Sequence, residues 1–431
     1  MQLHFNELKI NMGTVPTTGH EQHLGRLGFA GETKPMTLVA SKTTAGPGPS
    51  RLYDLSFHNT INNLETDWRD LEKRANISIY QRFDWINICL QTISDEPNSH
   101  PLIVTAYQDS KLVLVLPLSV SNGLIRTVNW IGGSHSNYKL PLIDPDFARD
   151  IGKADIEQIF SEIRQLLGGF GCICLCCMPD SWAGQVNPLL ALPHQKSTNR
   201  AFGVDLSGGF DNVLKQGNGK RKRKKFRWQT RAVESLGGAQ LVEADTRSEA
   251  LEILSCFHQQ KSKRLREQGV RDVFGGQKAQ RFLKKITLDS HSMEEPILKL
   301  FALKIDGEYR AICGGGVMNK HFSAYFISFA DDELAHISPG EMLIYMLVEK
   351  LANAGFKSMD MGGGKERYKQ SWCPDTIEMF DSVLPLSKLS MGYVWLYRGL
   401  LDLRRSLRQQ PFAWKQYKRL RAGWRNVFNG S

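Results

Sequence analysis

Four side chains able to move or hold protons are crowded into one short run: in MDMGGGKERYKQSW, Asp360, Glu366, Tyr368 and Lys369 fall within ten consecutive residues. Two neighbouring carboxylates usually titrate apart, so one can act as a base near neutral pH while the other orients it or a bound acceptor. A phenol such as Tyr368 can return a proton to a leaving group. Lys369 can pair with Asp360 or Glu366, or contact a phosphate. The glycines at 362–364 separate the carboxylates and let one loop bring both to the same point. The competing reading is architectural, since an Asp at a strand end can simply bond the backbone of the glycine run.

A second set lies just upstream. Ile327 and Phe329 end an apolar strand pattern, and Ser338, Pro339, Gly340, Glu341 and Met342 open a helix. Ser338 can cap, Pro339 suits the first helical position, and Glu341, three residues after the serine, completes a capping box. A strand, a loop and a defined helix start present free backbone N–H groups and the positive end of a helix dipole, which suits a pyrophosphate. Many ordinary helices also open this way. His336, in the loop, reads as a solvated residue. Lys220–Arg231 (KRKRKKFRWQTR) carries eight basic and no acidic side chains. A nuclear localisation signal or nucleic-acid patch is one reading; a solvated face, or a helix lining an acceptor cleft with Arg227 and Arg231 turned to an acidic group, is preferred. His258 sits on an amphipathic helix, either on its face or touching the acceptor.

The elements that must position these residues fall into two units. Residues 1–50, rich in Gly, Thr, Pro and Ser, read as a flexible leader. In 51–200, Leu64, Trp68, Leu71 and Ala75 give one buried helical face, and a second amphipathic stretch surrounds Trp85. PLIVTAYQ and KLVLVLPLSV form a hairpin across Asp109 and Ser110, TVNWIGG adds a strand, and a helix over 154–168 precedes GCICLCCMP. That cysteine run is apolar throughout and bounded by Gly171 and Pro179, so it reads as a buried strand rather than a metal or redox site. In 201–386, a short strand, the basic helix, the strand AQLVEA and helices over 247–267 and 276–289 precede three antiparallel strands joined at Asp306-Gly307 and Asn319-Lys320, then a helix and a strand. The fold class is therefore α/β (α+β): two tandem units, each a mixed, mainly antiparallel sheet flanked by helices. Residues 387–431 form a basic, aromatic helical tail.

Composition sets the outer limits. A chain of 431 residues with 41% hydrophobic residues supports two packed cores. No apolar run approaches the roughly 20 residues of a membrane-spanning helix, and the start resembles no secretory signal, so a cytoplasmic location is expected. Of the net charge of +11, the basic helix supplies +8 and residues 398–425, with nine basic and one acidic side chain, another +8. The remainder is therefore slightly acidic, which argues against a surface built to grip nucleic acid. Trp395, Trp414, Tyr417 and Trp424 interleave with the tail's basic residues, a composition suited to peripheral contact with an anionic membrane or, equally, to packing on the body.

The C-terminal unit resembles the CelD-like acetyltransferases, a branch of the GNAT superfamily named for a role in bacterial cellulose or exopolysaccharide synthesis. The resemblance rests on DLSGG, LGGAQLVEA, CFHQQKSKR, LKIDGEYRA and SPGEMLIYMLVEKLANAGFKSMDMGGGKERYKQSW. In the last block Asp360, Gly364, Glu366, Tyr368, Lys369 and Trp372 match the family's pattern, while Lys365 stands where an acid is usual. It implies two GNAT-like units, as in the related FemAB peptidyltransferases, with the second active. It further implies an acetyl-CoA or other acyl-CoA donor bound at Ile327, Phe329 and Ser338–Met342, no metal, and a saccharide or other amine or hydroxyl acceptor. The expected activity is N- or O-acyl transfer, in polysaccharide or envelope synthesis at or near the inner membrane face. Two alternatives are a catalytically silent scaffold of a polysaccharide-synthesis complex and FemAB-like aminoacyl transfer from tRNA.

Overall fold

The computed structural model describes residues 53–94, 98–364 and 367–409. The leader and the tail beyond 409, with Trp414, Tyr417 and Trp424, lie outside the described residues, as does Glu366. The first unit holds β1 (Asp54–His58), α1 (Glu65–Arg74), α2 (Phe83–Thr92), β2 (Ser99–Gln108), β3 (Lys111–Ser121), β4 (Arg126–Trp130), β5 (Leu142–Ile143), α3 (Pro145–Asp150), α4 (Lys153–Leu167) and β6 (Gly171–Pro179). Short strands β7 (Ser181–Trp182), β8 (Gln185–Val186) and β9 (Gln195–Lys196) lead out of it. The second holds β10 (Ala201–Asp205), α5 (Phe210–Lys215), α6 (Gly219–Ala232), β11 (Ala239–Glu243), α7 (Arg247–Glu267), α8 (Gln277–Ser290), β12 (Lys299–Ile305), β13 (Glu308–Met318), β14 (His321–Phe329), α9 (Pro339–Asn353), β15 (Ser358–Gly363), α10 (Arg367–Trp372) and β16 (Asp375–Ile377). Then come β17 (Met379–Pro385) and α11 (Met391–Gln409).

The architecture is the expected pair of mixed, mainly antiparallel sheets, and their topology repeats. The first sheet runs β1-β2-β3-β4-β6-β17-β9, with β5 on β3, and the second β11-β12-β13-β14-β15-β10-β16. In each, a four-strand antiparallel meander is followed by a helical crossover to a parallel neighbour: β4 beside β6, β14 beside β15. The hairpin turns fall where the sequence places them, with positive φ at Asp109 and Ser110, at Asp306 and Gly307, and at Asn319 and Lys320.

One strand departs from the reading by sequence order. Although 201–386 reads as one unit, β17 at its end crosses back to pair antiparallel with β6, Met379 opposite Pro179 and Pro385 opposite Cys172. Met379 to Leu384 are buried throughout, so both faces of this strand are covered. The cysteine strand forms as expected, with Cys172, Cys174 and Cys177 buried.

The units also share a core. Trp68 and Leu71 of α1 and Trp85 of α2 are buried with Phe257 of α7, Phe282 of α8 and Tyr325 of β14. The Trp85 ring lies 5.4 Å from Phe282 and 5.3 Å from Tyr325, both edge-on. On the other face of the second sheet, α5, α6 and α9 bury Phe210, Val213, Met342, Leu343 and Leu347 against Phe301, Leu303 and Phe322. In β13, Gly314, Gly315 and Gly316 allow this double packing: a Cβ on Gly314 would sit 2.2 Å from the Phe326 ring, and one on Gly316 2.4 Å from Ile79 of the first unit.

Candidate active site

β14 and β15 pair in parallel only from His321 opposite Ser358 to Ser323 opposite Asp360. Past that point they diverge. A bulge at Tyr325, set by Gly314 pairing with Phe326 and Gly315 with Ala324, turns β14 at the divergence. Asn137 of the first unit enters the gap, its Nδ2 donating to the Ala324 carbonyl at 3.3 Å. A Cβ on Gly362 would meet that same Nδ2 at 2.8 Å, and Gly362 has φ +61°, so glycine suits this position twice over.

A cavity of about 540 Å³ opens where the strands part. Its wall combines the ends of β14 and β15, the C-terminal part of α7 with the loop after it, α10, and two segments of the first unit around Asn137 and Asn199. Four cationic side chains, Arg200, Lys261, Arg271 and Lys369, line it, and among the described residues no Asp or Glu does. Lys261 Nζ donates to the Ile327 carbonyl on β14 at 3.0 Å and Lys369 Nζ to the Gly363 carbonyl on β15 at 2.5 Å, so an ammonium is seated on each diverging strand.

The sequence-derived residues distribute unevenly about this cavity. Ile327, Tyr368 and Lys369 line it. Asp360 does not: its side chain is fully buried, Oδ1 accepting from the Tyr138 hydroxyl at 2.6 Å and from Gly362 N at 2.8 Å, and Oδ2 from His321 Nε2 at 2.9 Å. Burial, reinforced by this carboxylate, raises the Tyr138 phenol well above its ordinary value, so the phenol stays protonated and donates. His321 Nδ1 in turn meets Ser358 Oγ at 2.7 Å. Asp360 thus ties the first unit to the floor of the site, with Gly362 bonded as the architectural reading expects. Lys369 reaches the backbone of the same glycine run.

The helix-start residues stand beside Phe329 on the other face of the sheet. Ser338 precedes α9 in the left-handed region, φ +60°, and its side chain makes no cap bond, so the expected capping box is not formed. Glu341 instead pairs with Lys225 of α6 at 2.6 Å. The helix start is pinned from α6: the buried Gln229 Nε2 donates to the carbonyls of Ile337 at 2.6 Å and Ser338 at 3.1 Å. Pro339, Gly340 and Met342 are buried, and a Cβ on Gly340 would stand 3.1 Å from Phe329, whose ring also carries Arg264 at 4.0 Å. In this first turn Pro339 has no N–H, and the N–H groups of Glu341 and Met342 donate to the Ser338 carbonyl at 3.0 and 3.3 Å, so Gly340 carries the remaining N–H, with Lys225 and Arg264 nearby.

Arg227 and Arg231 are exposed on α6, which packs on α9 and α10, Phe226 stacked on Tyr345 at 4.0 Å and Lys222 over Trp372 at 4.8 Å. Neither arginine lines the cavity, so the basic helix flanks the α9 start rather than the acceptor space. His258 lies on α7, one turn before Lys261, but outside the lining; burial lowers its pKa, and its Nδ1 has no hydrogen-bond partner. His336 is exposed, as expected. Sequence reading missed the first-unit segment SHSNY: Ser134, Ser136 and Asn137 line the cavity, and His135 Nδ1 lies 2.6 Å from the Tyr325 hydroxyl. Its only signal is a polar run directly after the glycine pair of TVNWIGG, of which His135 and Ser136 are buried.

Comparison with known proteins finds one family match in sequence and several likenesses in fold. Residues 220–370 match the family described as an acetyltransferase (GNAT) domain. FemX shares the fold with a TM-score of 0.52 at 12% identity, over 75% of this chain and 96% of its own. The C-terminal domain of a lysylphosphatidylglycerol synthetase from Agrobacterium fabrum, described as putative, aligns with a TM-score of 0.48 at 13% identity, over 79% and 98%. A tandem GNAT protein from the clavulanic acid biosynthesis pathway gives 0.42 at 11%, over 77% and 99%. No curated protein matches the chain in sequence. The stretch that carries α6, the diverging strands and α10 is thus similar to a GNAT acetyltransferase domain, and FemX has the fold of the two units together.

Proposed function

We propose that the protein is an acyltransferase whose second unit takes an acyl-CoA donor and passes the acyl group to an amine or hydroxyl. The observation that carries this reading is the parting of β14 and β15 after Ser323 and Asp360, which opens the cavity between the two strand ends. The donor's pyrophosphate suits the first turn of α9 with Lys225 and Arg264 nearby, and its arm the β14 edge around Ile327. The first unit is the less suited: the start of its crossover helix α4 is filled by its own side chain, Asp155 Oδ2 accepting from Gly152 N at 2.9 Å.

An acceptor reaching the thioester occupies the cavity. The cationic lining suits one that bears a phosphate or carboxylate, such as an acidic saccharide precursor. Attack by its amine or hydroxyl forms the new carbon–nitrogen or carbon–oxygen bond and breaks the carbon–sulfur bond; Tyr368, at the cavity wall, gives the departing thiolate its proton and regains one from the attacking group. Asp360 supports the floor of the site through Tyr138 and His321 instead of touching the acceptor.

Calorimetry with acetyl-CoA and longer acyl-CoAs, alongside released-thiol detection over a panel of acceptors, tests the reading. Binding is expected at micromolar to millimolar donor. Tyr368→Phe is expected to keep donor affinity and lower turnover by about 10²-fold. Absence of any acyl-CoA binding would overturn the donor assignment; binding of acyl-CoA without thiol release by any acceptor would favour a silent scaffold.

A further inference from the structure

Large exposed apolar side chains are concentrated at one end of the first sheet. Of the eleven among the described residues, six belong to α11 and its approach: Leu389, Met391, Trp395, Leu396, Leu400 and Leu403. Two more, Leu124 and Phe170, belong to loops at the same end. Arg126 N donates to the Phe170 carbonyl at 3.0 Å, joining the turn that bears Leu124 to the start of β6. Gly171 N donates to Ser390 Oγ at 2.9 Å, and the Phe170 ring lies 5.8 Å from Tyr393, joining β6 to α11.

The helix is apolar on both sides. Val394 is buried against Cys172, Cys174 and Val383, with Tyr393, Tyr397 and Leu401 packed around them. That face is satisfied by the body. Trp395, 78% exposed, and Leu396 and Leu403 lie on the opposite face, and Leu389, just before the helix, is 84% exposed. Scattered surface leucines need no explanation, but exposed apolar side chains concentrated on one helix and its approach mark a contact surface.

We propose that this end of the first unit docks on the surface of a bilayer containing anionic lipid, with α11 lying in the interface. The charge of the chain that continues from the patch selects the occupant. From Arg398 to Arg425 the sequence has nine basic residues and one acidic, so a two-fold contact with a second copy would bring like charges together, whereas anionic headgroups would neutralise them. A tryptophan beside leucines on the outer face, with tyrosines at its flank, is the composition of a helix seated at headgroup depth. No helix among the described residues is long and apolar enough to cross the membrane, so the contact is lateral.

The test is co-sedimentation of the full chain with vesicles of phosphatidylcholine alone and of phosphatidylcholine and phosphatidylglycerol in equal parts. Binding is expected to the anionic vesicles and to weaken as salt is raised, because the attraction is screened. The double variant Trp395→Glu, Leu396→Glu is expected to lose roughly tenfold or more in vesicle affinity. Both positions are exposed, so its circular dichroism and melting temperature should match those of the parent. Failure of the parent chain to bind anionic vesicles, or equal binding by the double variant, would overturn the proposal. So would a concentration-dependent dimer that the double variant abolishes in the absence of lipid.

Discussion

Asp360 sits at full burial among three donors, and such a carboxylate is placed to hold structure. Tyr138→Phe removes one donor while keeping the ring, and is expected to destabilise the protein by about 1–3 kcal/mol in urea unfolding with little change in donor affinity. Asp360→Asn is expected to act in the same direction. If instead it lowered turnover with stability unchanged, a direct chemical role would have to be restored. A second carboxylate gives a pH signature. Burial, the largest influence, raises Glu72 from the usual 4.5 to about 7, opposed by the Phe83 backbone N–H and by Arg82. A carboxyl whose pKa rises on folding adds stability that is full below about pH 4.5 and is lost as pH climbs through about 7. Glu72→Gln should remove that decline, worth at most about 1.4 kcal/mol per pH unit, in unfolding curves from acid to neutral pH. His58 and His258, both lowered by burial, tilt the parent's profile the other way below pH 6.5, so the difference between parent and variant is the informative quantity. At this scale the sequence shows which groups can do chemistry but not which way they face. Asp360 and Met361 are adjacent on one strand, and the pleat sends the first to Tyr138 and the second to the cavity.

The elements themselves were more legible than their partners. Periodicity and turn residues mark α7, the β12–β14 meander and α9 closely, because 3.6- and 2-residue repeats and paired positive-φ turn residues are local signals. The capping box at Ser338 failed although its residue types were right. Gln229, from 108 residues away in sequence, donates to the Ile337 carbonyl, while Glu341 pairs with Lys225. The same distance hides the role of the basic helix: its charges suggest a partner, and its Phe226 and Gln229 fix it to α9. Gln229→Ala is expected to loosen the α9 start and raise the dissociation constant for acyl-CoA about fivefold or more, read by calorimetry, with no effect on the pairing of β14 and β15.

Across the whole molecule the two sheets are tied by a shared aromatic core, by Tyr138 on Asp360 and by β17. Thermal unfolding should therefore show one cooperative transition rather than two. A fragment ending at residue 200 lacks the strand that covers β6, leaving the apolar edge GCICLCCMP open to other chains. That fragment is expected to aggregate, as judged by sedimentation, and a soluble monomeric fragment would show that the first sheet closes without β17. The exchange was invisible in the sequence because SVLP reads equally well as the last strand of either unit. It also sets a timetable for biosynthesis. The strand opposite Pro179 begins at Met379, and at a synthesis rate of about 5–20 residues per second the ribosome needs roughly 10–40 s to deliver it. For that interval the nascent first unit waits with an uncovered apolar edge, so the N-terminal half matures only when the C-terminal half does.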